Sequence, residues 1–132
     1  MYKMCHVAIS VKNMDKSIDF YREFGFRILK TWRAEDGSLE IAHIQLYDMV
    51  IEIFCYKEFA DLPISSRDLS TDLPIVGVKH FAFGVDNIKN TYDKLISKGI
   101  ITENVKIVKG RLGKNYFFIK DPDGILIEII EN

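Results

Sequence analysis

GILIEII, residues 124–130, follows a turn of sequence DPDG and sets one carboxylate, that of Glu128, among five aliphatic residues. Branched residues at this density, launched from a Pro/Gly turn, predict a β-strand that is covered on both faces. A charged glutamate is costly in that setting unless a bound cation or a buried Arg or Lys pairs with it. The strand itself supplies no such partner, so we expect one from elsewhere in the fold.

A second stretch, VIEIF at residues 50–54, repeats this arrangement around Glu52. The tripeptide IEI stands at 51–53 and again at 127–129, 76 positions apart. Further upstream, HVAISVKNM starting at His6 aligns with HFAFGVDNI starting at His80, at an offset of 74. The sequence therefore indicates two copies of one structural unit.

Each copy predicts the element order β-α-β-β-β. In the first copy we expect strands at 5–11, 26–33, 39–47 and 49–55, and a helix at 14–24 capped by Asn13 and Gly25. In the second copy we expect a strand starting near 78, a helix at 88–98 capped by Asn87 and Gly99, and strands at 105–109, 116–120 and 125–130.

The predicted fold class is α+β, with two tandem βαβββ modules that form a curved, cupped mixed sheet. The modules span residues 1–56 and 77–132 of a single 132-residue domain. Residues 57–76 contain two prolines and little periodicity, so they are expected to be a linker with a short helical turn.

Composition narrows the class of protein. Hydrophobic residues make up 48% and charged residues 28%, and 18 basic and 19 acidic residues give a net charge of −1, all ordinary for a soluble globular protein. The absence of a basic stripe argues against nucleic acid as a partner, and no apolar run approaches the ~20 residues of a membrane span. With no signal-peptide core and no disulfide framework, we expect a cytoplasmic protein.

The repeat places four potential metal ligands at equivalent positions. His6 precedes Glu52 by 46 residues, and His80 precedes Glu128 by 48. If the first and last strands of each module are neighbours, all four side chains can face one cavity. Two imidazoles and two carboxylates suit a divalent ion such as Zn, Ni, Co, Mn or Fe.

Each residue taken singly has an ordinary alternative reading. A lone histidine in a strand is usually a hydrogen-bonded core residue, and a lone glutamate usually faces solvent. The recurrence of both types in register favours the metal site. The third histidine, His43, has no counterpart in the other copy and is expected to be a hydrogen-bonded core residue.

These stretches, together with DKSIDFY at 15–21 and DPDGILIE at 121–128, resemble the vicinal oxygen chelate superfamily of glyoxalase I, bleomycin resistance proteins and extradiol dioxygenases. The resemblance is closest to glyoxalase I-like lactoylglutathione lyases, whose His/Glu/His/Glu quartet is matched by His6, Glu52, His80 and Glu128. It implies one divalent metal ion per site and a homodimer, with the site formed within one chain or across two. Dioxygenases and fosfomycin-modifying members typically use only His, His and Glu.

By this resemblance the substrate is a thiol hemiacetal of a 2-oxoaldehyde such as methylglyoxal. Glu128 would move the substrate proton, with Glu52 as its pseudo-symmetric catalytic partner, and His6 and His80 would act only as ligands. The alternatives are a metal-free resistance module that sequesters a small molecule, an acyl-CoA epimerase and a dioxygenase.

Two departures leave the thiol open. Glutathione-using relatives tend to carry Arg four residues after the first His and Asn four residues after the first Glu, where this chain has Ser10 and Tyr56. A glutathione carboxylate would therefore lose a bidentate partner. Lys109, Arg111 and Lys114 are another source of positive charge, or else an ordinary solvated loop.

Overall fold

The computed structural model describes the whole chain, residues 1–132. The chain forms two compact units, Met1–Asp61 and Leu62–Asn132. They extend the predicted modules 1–56 and 77–132 and are called the first and second modules from here on. Each module combines a four-stranded mixed sheet with one helix of at least nine residues, which confirms the α+β class and the β-α-β-β-β order. Residues 57–76 are divided between the two modules.

The first module contains the elements β1 (Val7–Ser10), α1 (Met14–Arg22), β2 (Arg27–Arg33), β3 (Leu39–Leu46) and β4 (Met49–Tyr56). Its sheet has the order β1-β4-β3-β2. Strand β1 runs parallel to β4, whereas the other neighbours are antiparallel. The first and last strands of the repeat unit are therefore adjacent, as the proposed site requires.

The second module opens with a 3-10 turn (Ile64–Ser66) and the short helix α2 (Leu69–Asp72), followed by β5 (Phe81–Val85), α3 (Ile88–Ser97), β6 (Val108–Lys109), β7 (Asn115–Lys120) and β8 (Leu126–Glu131). The sheet order β5-β8-β7-β6 repeats that of the first module, with β5 parallel to β8. None of the helices is both long and apolar enough to cross a membrane.

The two IEI tripeptides lie in β4 and β8, each an inner strand of its sheet, and set which face of that strand is buried. Ile51 and Ile53 are fully buried, and Ile127 and Ile129 are at most 1% exposed. Because side chains alternate along a strand, Glu52 and Glu128 point to the opposite face. That face is only partly covered, since about one-fifth of each glutamate side chain stays exposed, so the predicted coverage of both faces is incomplete.

Several predicted boundaries shift by a few residues. Strands β1 and β5 begin one residue after His6 and His80, so neither histidine lies within a strand. Helix α1 ends at Arg22 because the amides of Phe24 and Gly25 bond to carbonyls three residues back, which tightens the chain into a turn. Strand β6 comprises only two residues of the predicted 105–109.

Asparagine side chains cap both long helices at their N-termini. Asn13 Oδ1 accepts a hydrogen bond from the Lys16 amide at 3.0 Å, and Asn87 Oδ1 accepts one from the Asn90 amide at 2.9 Å. Each bond satisfies one of the amides that the first helical turn leaves without a partner.

Replacing either cap with alanine should destabilise the protein. We expect Asn13→Ala and Asn87→Ala each to lower the free energy of unfolding by about 1 kcal/mol, and Asn13→Ser and Asn87→Ser to recover most of it. Urea denaturation measures the effect. Asn104→Ala, at an exposed position outside any helix, is the control. Equal loss in the control and the cap variants would contradict the capping role.

Candidate metal centre

The parallel pairing of β1 with β4 assembles the first half of the site. Ala8 lies beside Glu52 in the register of these strands. His6 precedes Ala8 by two residues, and its Nε2 lies 3.6 Å from Glu52 Oε1. This separation is too long for a hydrogen bond.

The second module repeats the geometry. Ala82 pairs with Glu128, and His80 Nε2 lies 3.5 Å from Glu128 Oε2. Nε2 is therefore the nitrogen that faces the carboxylate, and the other ring nitrogen, Nδ1, is buried without a hydrogen-bond partner. Each module thus brings together one predicted histidine and one predicted glutamate.

The spacing within each pair fits two ligands of one divalent ion. With metal bonds of about 2.1 Å, neighbouring ligand atoms lie about 3.0 Å apart in an octahedral shell and about 3.4 Å apart in a tetrahedral one. The observed 3.5 and 3.6 Å are close to these values. Imidazole nitrogen and carboxylate oxygen are also donors that borderline divalent ions accept.

Each module supplies a pair of ligands rather than a complete set. The chain contains no group of three or more His, Cys, Asp or Glu side chains arranged to hold a metal ion. The union of both pairs in one centre, within a chain or across two chains, stays a prediction.

Sequence reasoning missed the place of His43. It is hydrogen-bonded, as expected, but its partner is Glu52, a predicted metal ligand. The antiparallel register of β3 and β4 sets the two residues opposite each other. His43 Nε2 lies 2.6 Å from Glu52 Oε2. The sequence could have predicted this contact from the hairpin that joins β3 and β4. Leu46 pairs with Met49 across the turn, and His43 and Glu52 each lie three residues beyond that pair.

The corresponding position in the second module is Phe118. It lies opposite Glu128 in the register of β7 and β8, and its ring meets that of His80 edge-on at 4.8 Å between centroids. Glu128 therefore lacks the hydrogen bond that His43 provides to Glu52. The two half-sites share their ligand pairs but differ in what supports the carboxylate.

A cavity of about 540 Å³ in the second module reaches Glu128. Lys109, Arg111 and Lys114 line it as well, together with Tyr116. All three basic residues are exposed, as a solvated loop predicts, yet they share one cavity with the candidate catalytic carboxylate. The cavity that Glu128 borders therefore also carries positive charge, which favours an anionic ligand.

The chain is similar to known proteins over nearly its full length. Its sequence is 32% identical over 128 residues to Bacillus subtilis (strain 168) YwkD, covering 96% of this chain and 94% of that protein. It is also 32% identical to a probable lactoylglutathione lyase of Vibrio parahaemolyticus, covering 98% and 91% of the two chains. A solved glyoxalase family protein from Enterococcus faecalis superposes with a TM-score of 0.79 at 29% identity, covering 98% and 97%.

The sequence model of the Glyoxalase/Bleomycin resistance protein/Dioxygenase superfamily matches residues 3–129. This match covers both modules and all four predicted ligands, and it confirms the predicted family resemblance. The chain therefore belongs to the Glyoxalase/Bleomycin resistance protein/Dioxygenase superfamily.

Proposed function

We propose that the protein is a divalent-metal-dependent, glyoxalase I-like lyase that acts on a thiol hemiacetal of a 2-oxoaldehyde such as methylglyoxal. The observation that carries the proposal is the matched pair of His–Glu contacts, 3.6 Å in one module and 3.5 Å in the other. The name of the Vibrio parahaemolyticus relative, probable lactoylglutathione lyase, supports the same reaction. A homodimer and a cytoplasmic location stay predictions.

In this proposal His6, Glu52, His80 and Glu128 hold the metal ion. When bound, the ion supplies Lewis acidity to two neighbouring oxygens of the substrate. Each histidine would bind the ion through Nε2, the nitrogen that faces its glutamate. The apolar strands behind the glutamates keep these side chains in place through the fully buried Ile51 and Ile127.

Glu128 is the proposed base. Its carboxylate borders the cavity of the second module, where a substrate has access to it. It would take the proton from C1 of the thiol hemiacetal and return it to the neighbouring carbon, which becomes the alcohol carbon while C1 becomes the thioester carbonyl. The reaction is an isomerisation, so it needs no oxidant, reductant or second substrate.

The basic loop suits a thiol that carries a negative charge. Ser10 and Tyr56 do not provide the Arg and Asn expected in glutathione-using relatives. Lys109, Arg111 and Lys114, by contrast, line the cavity that contains Glu128. We propose that these three residues of the second module bind an acidic group of the thiol cosubstrate.

The metal requirement is tested first. Purified wild-type protein should contain close to one divalent ion per site. If the metal is lost in purification, the protein should take up the same amount when dialysed against a divalent metal salt. Glu52→Gln and Glu128→Gln should each lose most of that metal, because each removes a charged oxygen ligand. Elemental analysis and isothermal titration with Ni²⁺, Zn²⁺ and Co²⁺ measure the difference.

Glu35→Gln, at an exposed residue in the turn before β3, controls for the change in charge. We expect it to bind metal like the wild type. Metal-loaded wild type should convert methylglyoxal in the presence of a suitable thiol, and Glu128→Gln should lower kcat by at least 100-fold. Failure of the wild type to bind any of these ions would contradict the proposal and favour a metal-free binding module.

The charge of the thiol is tested by reversing the charges of the loop. Arg111→Glu combined with Lys114→Glu should raise KM for an acidic thiol about tenfold, since exposed ion pairs contribute up to about 1 kcal/mol each. Reaction rates measured with glutathione and with the uncharged thiol 2-mercaptoethanol show the contrast.

The KM for the uncharged thiol should stay unchanged in the loop variant. Lys94→Glu, on helix α3 outside the cavity, is the matched control and should leave both KM values unchanged. An equal effect on charged and uncharged thiols would rule out an acidic group at this loop.

A further inference from the structure

The two oxygens of Glu52 face different histidines. Oε1 lies 3.6 Å from His6 Nε2, whereas Oε2 lies 2.6 Å from His43 Nε2. Only the second distance is that of a hydrogen bond. Both His43 and Glu52 are about four-fifths buried at the side chain, so water competes little for this bond.

The chemistry of the two groups fixes the direction of the bond. As a metal ligand Glu52 is an ionised carboxylate, which only accepts hydrogen bonds, so in the proposed site the proton of this bond lies on His43 Nε2. His43 is then a donor to Oε2 and leaves Oε1 as the oxygen directed toward His6. A carboxylate held in this way cannot turn without breaking a buried hydrogen bond.

The second module has a phenyl ring where the first has this imidazole. Phe118 lies opposite Glu128 and donates no hydrogen bond. His80 Nε2 lies 3.5 Å from Glu128 Oε2, longer than an ordinary hydrogen bond. Glu128 can therefore change its side-chain rotamer at a smaller cost than Glu52.

We propose that His43 is a positioning residue that fixes Glu52 as a stationary metal ligand, and that Phe118 leaves Glu128 free to move a proton between substrate carbons. The inference rests on the proposed function. It assigns unequal tasks to two carboxylates that the duplicated sequence presents as equivalent.

Substitution of His43 tests the first half of the proposal. His43→Phe copies the second module and should weaken the binding of Ni²⁺ or Zn²⁺ 10- to 100-fold, the usual effect of removing a partner that supports a ligand. His43→Gln places an amide donor where Nε2 stood and should bind metal within about threefold of the wild type. Isothermal titration of the metal-free proteins measures both affinities.

Thermal unfolding of the same metal-free proteins separates positioning from folding. A purely structural role of His43 would lower the unfolding temperature of His43→Phe and leave the metal affinity of the folded protein unchanged. That result would overturn the inference, as would equal metal affinities of His43→Gln and His43→Phe.

Substitution of Phe118 tests the second half. Phe118→His introduces a donor opposite Glu128 and should restrain it, lowering kcat at least tenfold while metal affinity is kept or increased. An unchanged kcat in Phe118→His would overturn the assignment of unequal tasks.

The failures of the two proposals are distinguishable. Absence of metal binding in the wild type would overturn the proposed function together with this inference. Tight metal binding in both the wild type and His43→Phe would overturn this inference alone.

Discussion

The parallel pairing between the first and last strands of each module is the constraint on which the site depends. It sets Ala8 beside Glu52 and Ala82 beside Glu128, and so brings a histidine next to a carboxylate that is about four-fifths buried. The register cannot slip by one residue, because that would turn the buried isoleucines outward and the glutamates into the core. A carboxylate buried to this extent also needs a partner, which the nearby imidazole and, in our proposal, the metal ion provide.

Much of this arrangement could be predicted because the sequence contains two copies of the same unit. The offset of 74 residues aligns His6 with His80 and Asn13 with Asn87, so the element order, the helix caps and the ligand pairs followed from comparing the copies. The ends of elements were less accurate, since β1 and β5 begin only after the histidines and helix α1 tightens into a turn before Phe24. Such ends depend on individual hydrogen bonds that local sequence patterns do not determine.

His43 shows the limit of searching for symmetry. A comparison of the copies identifies residues that recur. His43 does not recur, because the equivalent position in the second hairpin is Phe118. Its contact with Glu52 comes from pairing across a two-residue turn, which is visible only when positions are counted outward from that turn. The exposed basic loop likewise has no equivalent in the first copy. At both places the two copies differ, and these differences underlie the proposed division of roles. Glu52 in the first module is held by a hydrogen bond, whereas Glu128 in the second is less restrained and borders a cavity with positive charge.

The most direct test is a crystal structure of the metal-loaded protein, with anomalous diffraction recorded at the absorption edge of the bound ion. We predict a single ion bonded to Nε2 of His6 and His80 and to carboxylate oxygens of Glu52 and Glu128, with His43 still donating to the other oxygen of Glu52. An ion bonded to the pair of one module alone, or to residues outside this quartet, would contradict the assignment of the metal centre.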